Sequence, residues 1–189
     1  DVARDYRWEV CKELALNLMS VNNNTKAFVP VLEILSKNRY YQVRKSTAEL
    51  LKTIGPRILP ETIKILRNMC DTAPQDPSLS TVIYALATLS NYEKEAVLYI
   101  FEELSHSPKE DVRKAIVEHV AKVDRYIARK IWNDLREDPS IMVRMAIMAA
   151  MIKNGMIEEN DSDAITSILF GKRIYRTGIL MYGKKVSYK

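Results

Sequence analysis

Cysteine, histidine and glycine are scarce in this chain, and each shortage removes a class of protein. Only Cys11 and Cys70 occur among 189 residues. Both stand in apolar-periodic stretches, which points to reduced, buried thiols rather than a disulfide framework or a metal pair. Glycine occurs 5 times and proline 7 times, and so few turn formers disfavour a strand-rich fold with many tight turns. His106 and His119 are the only histidines; with no carboxylate at ligand spacing they do not make a three- or four-ligand metal site. A phosphate-cradling Gly-rich loop, a Gly-x-Ser-x-Gly turn and a Cys–His nucleophile arrangement are all missing. No stretch reaches the roughly 20 uninterrupted apolar residues of a membrane helix, and no signal-peptide pattern opens the chain. These absences predict a non-enzymatic chain without metal or cofactor, outside the membrane and in a reducing, cytoplasmic setting. Asp rather than Met at position 1 is in keeping with a processed or excised piece.

What is present is ordinary for a globular protein: 47% hydrophobic and 28% charged residues, enough to bury a core. The net charge of +5 is unevenly spread. Residues 1–157 are nearly balanced, residues 158–170 carry acids but no Lys or Arg, and residues 171–189 carry bases but no acids. The basic character therefore belongs mostly to a short tail, which weakens an argument for nucleic acid drawn from the isoelectric point alone.

Self-similarity is the informative signal. Val143-Arg144-Met-Ala-Ile has partners in Val112-Arg113-Lys-Ala-Ile and Val43-Arg44-Lys-Ser-Thr. Each follows a helix-breaking stretch: Asp138-Pro-Ser-Ile-Met, Ser107-Pro-Lys-Glu-Asp and Asn38-Arg-Tyr-Tyr-Gln. Weaker copies stand at Leu79-Ser80, after Pro74 and Asp76-Pro77, and at Tyr6-Arg7. Taking Tyr6, Val43, Leu79, Val112 and Val143 as equivalent gives spacings of 37, 36, 33 and 31 residues. That length fits a two-helix unit stacked into a solenoid, not a heptad array. Apolar positions recur with a helical period in each unit: Thr47, Leu50, Leu51 and Ile54 after Val43, and Ala115, Ile116, Val120 and Val123 after Val112. Gly55-Pro56 reads as a helix stop. The first helices are equally legible at 28–35, 58–66, 96–104 and 127–135, with Pro30 and Pro60 in or near a first turn.

On these residues the chain resembles the HEAT-repeat family. A first helix ends in an Asp-Pro-like turn, and a second helix opens with Val-Arg and continues through small and apolar residues. The resemblance covers about residues 1–155 and implies an all-α, armadillo-like α-α superhelix of four to five helix pairs. Residues 1–157 form the array, with second helices starting near 6, 43, 79, 112 and 143, and residues 158–189 form a capping helix and a basic tail. In this reading only Asp138 carries the family's turn acid, Asn38 and Ser107 replace it elsewhere, and Leu79-Ser80 stands where Val-Arg is expected. The resemblance also implies a protein- or peptide-binding scaffold working through its concave, second-helix face.

The recurring Arg44, Arg113 and Arg144 align along one edge of such a stack. Each guanidinium either bonds a turn carbonyl or carboxylate within or between units, or joins a ladder for phosphates or an acidic peptide. Lys45, Lys52, Lys114 and Lys122 extend that ridge on the second-helix face, with Glu49 and Glu118 among them. His119 reads as a satisfied core histidine and His106 as solvated. The resemblance also brings in HEAT-like DNA glycosylases, which hold an alkylated base with tryptophans and an aspartate. Here Trp132, Asp134 and Arg136 are two residues apart and fan around their helix, with Trp8 far away.

The helix after Asp138 carries Val143, Ala146, Ile147 and Ala150 on one side and Met145, Met148, Ala149 and Ile152 on the other. A helix apolar all round needs cover on both sides. Either residues 161–170, opening with an Asp/Ser N-cap, close the array over it, or it offers a Met-rich patch to a partner. The tail interleaves Lys172, Arg173, Tyr175, Arg176, Tyr182, Lys184 and Lys185 without a helical period. It reads as a packed appendage or as a contact for nucleic acid or an acidic protein.

Overall fold

The computed structural model describes residues 25–71 and 76–170, together with the helical positions Glu9, Glu13 and Asn17. The repeat copy at Tyr6-Arg7, Trp8, Cys11, Pro74 and the tail residues Lys172, Arg173, Tyr175, Arg176, Tyr182, Lys184 and Lys185 lie outside the described residues. Every regular element among the described residues is helical. In chain order these are α1 (Val29–Ser36), α2 (Tyr41–Ile54), α3 (Leu59–Met69), α4 (Leu79–Leu89), α5 (Lys94–Ser105), α6 (Glu110–His119), α7 (Arg125–Asp134) and α8 (Ile141–Lys153), followed by α9 over residues 162–170.

Local chemistry sets the boundaries. Pro30 and Pro60 sit in the first turns of α1 and α3, where a missing N–H costs least. The Asp124 carboxylate accepts from the N–H groups of Tyr126 and Ile127 at the head of α7, at 2.8 and 3.0 Å. Ser140 accepts from Met142 at the head of α8, and Asp161 accepts from Ala164 at the head of α9. At the end of α8, Gly155 takes φ of 67°. Its N–H reaches the Ile152 carbonyl while the Met156 N–H reaches that of Met151, the paired closure that a left-handed glycine makes. Gly55 behaves differently: its φ of −53° keeps the chain right-handed into a 3-10 turn, Gly55–Arg57. Space, not backbone freedom, requires glycine there, because a Cβ would stand 2.7 Å from Thr62 Cγ2.

Helices two apart in sequence stack on one another. α2 packs on α4, α4 on α6 and α6 on α8, while α1 packs on α3 and α5 on α7. Within successive pairs, α1 leans on α2, α3 on α4 and α5 on α6. The apolar stripes of both rows close into one continuous core containing Leu32, Leu51, Leu66, Leu86, Phe101, Ile116, Trp132 and Ile147. Fully burying one such side chain stabilises the fold by about 1.5–3 kcal/mol.

The recurring arginines bind turns, both inside a unit and across to the next. Arg44, Arg113 and Arg144 each occupy the fourth position of their helix. Each donates Nη1 to the carbonyl six residues back: Asn38, Ser107 and Asp138. Arg44 Nε also donates to Asp76 at 2.8 Å, and Arg113 holds Asp138 through Nε and Nη2 at 2.7 and 2.9 Å. Arg144 instead gives its Nε to the Leu169 carbonyl of α9, at 2.9 Å. Burial raises the pKa of the Asp76 and Asp138 carboxyls. The hydrogen bonds from Arg44 and Ser78, and from Arg113 and Ser140, outweigh that and hold both below the ordinary aspartate value.

This geometry corrects the register read from sequence. Asp76 is a second turn acid, equivalent to Asp138, and the fourth residue of α4 is Val82, not Ser80. Val82 and Ser107 thus replace an arginine and an acid that would have faced each other. Both halves of the bond are missing together, so no buried charge is left alone.

α8 is only partly covered. Val143, Ile147, Ala150 and Met151 face the core, and Met148 is half-buried against it. α9 docks through fully buried Ile168 and through Leu169 on Arg144. Ile141, Met142 and Met145 remain 43%, 45% and 46% exposed.

Two outcomes test this frame. Arg113→Val should cost about 3–5 kcal/mol in urea unfolding, because it strands buried Asp138. Adding Asp138→Ser, which copies the natural Val82–Ser107 gap, should recover more than about 1 kcal/mol in a double-mutant cycle. Because the Asp138 pKa is lower folded than unfolded, its contribution is present above about pH 4 and fades as the pH falls through the folded value. The double variant should therefore lose less stability than the parent between pH 5 and 2. Separately, Gly55→Ala should destabilise by about 1–3 kcal/mol, since β-branched Thr62 yields poorly.

Candidate functional site

The structure separates the seven ridge residues named from sequence into two groups. Arg44 and Arg113 direct their guanidinium groups into the turns and are only 12% and 11% exposed, and Arg144 is bound between a turn and α9. They hold the array and are not arranged as a ladder for phosphates. Of the lysines, Lys45 and Lys122 lie in the open, and Lys52 and Lys114 are half-buried. Lys45 is exposed near the start of α2, and Lys114 stands 4.0 Å from Glu118 on α6. Lys52 pairs with Glu49 on α2, while Lys122 is exposed in the 3-10 turn after α6.

Lys52 and Lys122 converge on a residue that the sequence reading passed over. Tyr84, half-buried in the middle of α4, has the Lys122 ammonium 4.0 Å from its ring centroid and that of Lys52 at 5.3 Å. The ring's negative face attracts each cation by about 0.5–1 kcal/mol or somewhat more at such half-buried sites. The stacking of α2, α4 and α6 puts the three side chains together. A weak signal was available: Tyr84 is the only aromatic residue in the small, apolar run of α4.

His119 lies beside this cluster, its ring centroid 5.7 Å from that of Tyr84. Nε2 is 3.0 Å from the hydroxyl of exposed Ser80, and buried Nδ1 has no hydrogen-bond partner. The satisfied core histidine expected from sequence is therefore a half-buried one with an orphaned nitrogen. Burial, reinforced by Lys122 and Lys153, pushes its pKa down to about 4. A serine–histidine pair of this kind lacks the group on Nδ1 that orients a general base.

Beyond Lys122 the face opens into a cleft of about 320 Å³ between the end of α6, α7 and α8. Ala121, Ala146, Ala149 and Ala150 line it with small apolar surface, and Lys122, Arg125 and Lys153 stand around it with Glu118 and Asn154. Trp132 also lines it but is 1% exposed and gives its indole N–H to the Val117 carbonyl at 3.1 Å. Asp134 and Arg136 line a different, polar cleft with Ser167 of α9. The Trp132, Asp134, Arg136 trio does not converge, as their spacing predicts. Among the described residues there is no cluster of acids, cysteines and histidines that could hold a metal, and no helix long and apolar enough to cross a membrane. Cys70 is a free thiol whose burial pushes its pKa up to about 12, so it is a poor nucleophile at neutral pH.

An NMR titration should give His119 a midpoint near pH 4, against about 6.5 for a solvated imidazole. The sign follows: between these values the unfolded chain binds the extra proton, so stability falls as the pH drops from 6.5 towards 4. His119→Phe should flatten that part of the stability–pH curve.

No family model matches this chain, and no curated protein matches it. Among solved structures it is similar to the crystal structure of smu.31 from Streptococcus mutans UA159. The two align with a TM-score of 0.57 over 89% of this chain and 94% of that one, at 16% identity. At that identity the likeness shows a shared all-helical fold.

Proposed function

We propose that this chain is a HEAT-like α-α superhelix serving as a non-enzymatic scaffold, which holds a peptide or protein segment along the face built by α2, α4, α6 and α8. Alternate-helix stacking and the unit-to-unit arginine bonds support the superhelical reading. The observation that carries the binding role is Tyr84 set between Lys52 and Lys122, beside an open cleft with apolar and charged walls. An aromatic ring with flanking cations offers stacking and ionic anchoring at one point, and tyrosine is among the residues enriched at interface hot spots. Charges of both signs, Glu49 with Lys52 and Glu118 with Lys114, suit a partner with its own mixed charges. Buried, reduced Cys70 fits a reducing, cytoplasmic setting.

A second reading makes the partner a nucleic acid. It draws on Lys122, Arg125 and Lys153, which stand exposed around one cleft.

Selection of random 16-residue peptides displayed on phage, followed by anisotropy with the enriched sequences, tests the scaffold reading. Micromolar binding is expected, and Tyr84→Ala should weaken it at least about tenfold. Peptide binding that is indifferent to Tyr84→Ala and Lys122→Ala would overturn the assignment of this face. Micromolar binding of a generic duplex or single strand that collapses with added salt, with no peptide enriched, would favour the second reading.

A further inference from the structure

We propose that the cleft between α6, α7 and α8 is a selectivity pocket for one oxyanion carried on an apolar stem, the side chain of an acidic or phosphorylated residue in the bound peptide. This rests on the scaffold reading and specifies what the scaffold selects.

Charge is the first argument. Lys122, Arg125 and Lys153 come from three places in the chain, the turn after α6, the first residue of α7 and the last of α8, and meet at one cavity. All three are exposed, and none forms an ion pair among the described residues. Some bases elsewhere do bind neighbouring acids: Arg67 with Glu103, Lys94 with Asp124, Lys130 with Glu102. Against three cations the cleft has one acid, Glu118, which already lies 4.0 Å from Lys114. A pocket with surplus positive charge and forked donors on Arg125 suits an oxyanion.

Shape is the second argument. Ala146, Ala149 and Ala150 place small side chains on the α8 wall, with Ala121 opposite. Their small size leaves room for a stem of a few methylenes, whose burial favours binding. A bare inorganic anion would leave that apolar wall unused.

The surroundings favour a peptide over a polyanion. Toward α4 and α2 the face carries both signs, Glu118 beside Lys114 and Glu49 paired with Lys52. A phosphodiester backbone would bring repeated negative charge to a stretch whose lysines already have acids beside them, whereas a peptide needs its negative charge only at the pocket.

The test uses the full chain and five fluorescein-labelled libraries of 12-residue peptides. Each library is degenerate except for a central Glu, Asp, phosphoserine, Gln or Lys. Retention of at least one acid-centred library about tenfold above the Gln and Lys libraries is expected, and the Glu and phosphoserine arms distinguish carboxylate from phosphate. Lys122→Glu combined with Lys153→Glu should invert the preference towards Lys. Ala149→Leu, which keeps every charge but fills the cleft, should reduce it below about twofold while the parent melting temperature is retained. If the libraries bind equally well whatever the central residue, or the preference survives both variants, the pocket assignment is wrong while the scaffold reading stands. If no library binds, the scaffold reading itself fails. If a 12-nucleotide single strand displaces bound peptide and its own binding is lost in the Lys122→Glu/Lys153→Glu variant, the oxyanion belongs to nucleic acid and the proposal is overturned.

Discussion

A guanidinium buried beneath a turn must find acceptors on several sides, and that requirement organises this chain. Arg113 meets it with the Ser107 carbonyl of its own unit and both oxygens of Asp138 in the next. The bond therefore fixes the angle of a turn and the seating of the following unit at once. Arg44 repeats the arrangement with Asn38 and Asp76. Arg144, at the last of the second helices, turns to the carbonyl of Leu169 and so recruits α9 with the same donor. Where the chain omits the arginine, at Val82, it omits the receiving acid as well, at Ser107. Desolvation explains the coupling: either charge alone would be buried without a partner.

Once seated, the row of second helices brings distant residues to one surface. Tyr84 lies centrally because α4 is flanked by α2 and α6, and it draws a lysine from each side. His119 shares that space at the cost of an unpaired nitrogen and answers by remaining neutral. The neighbouring cleft exists because α8 has alanine where it faces the end of α6 and α7. The packing that stacks the helices thus leaves Tyr84, its lysines and the cleft at the surface.

The helices are largely legible in the sequence. Pro30, Pro60 and the Asp161 cap mark starts, and the positions after Val43 and Val112 show the helical period that the core uses. The repeat of Val-Arg marks three second helices. The register of α4 was not legible, because alignment on the Leu79-Ser80 pair hid Asp76 as a turn acid and Val82 as the missing arginine. Gly55 ends its helix as the sequence indicates, but its close approach to Thr62 was not legible. Whether residues 161–170 would cover Met145 or leave it as part of a Met-rich patch was open in the sequence, and it stays nearly half exposed.

Sequence by itself determined what is carried between near neighbours. Caps, helix stops and apolar stripes act within a turn or two of the chain, so their signals are written locally. It determined the choice of arginine at a repeated place as well, though not its acceptor. Only the tertiary structure decided which carboxylate each guanidinium reaches, and that Lys52, Tyr84, Lys122 and His119 share one surface. Those meetings depend on how far each helix slides and turns against the next. That is set by the summed packing of a whole row of helices, which no single stretch of sequence records.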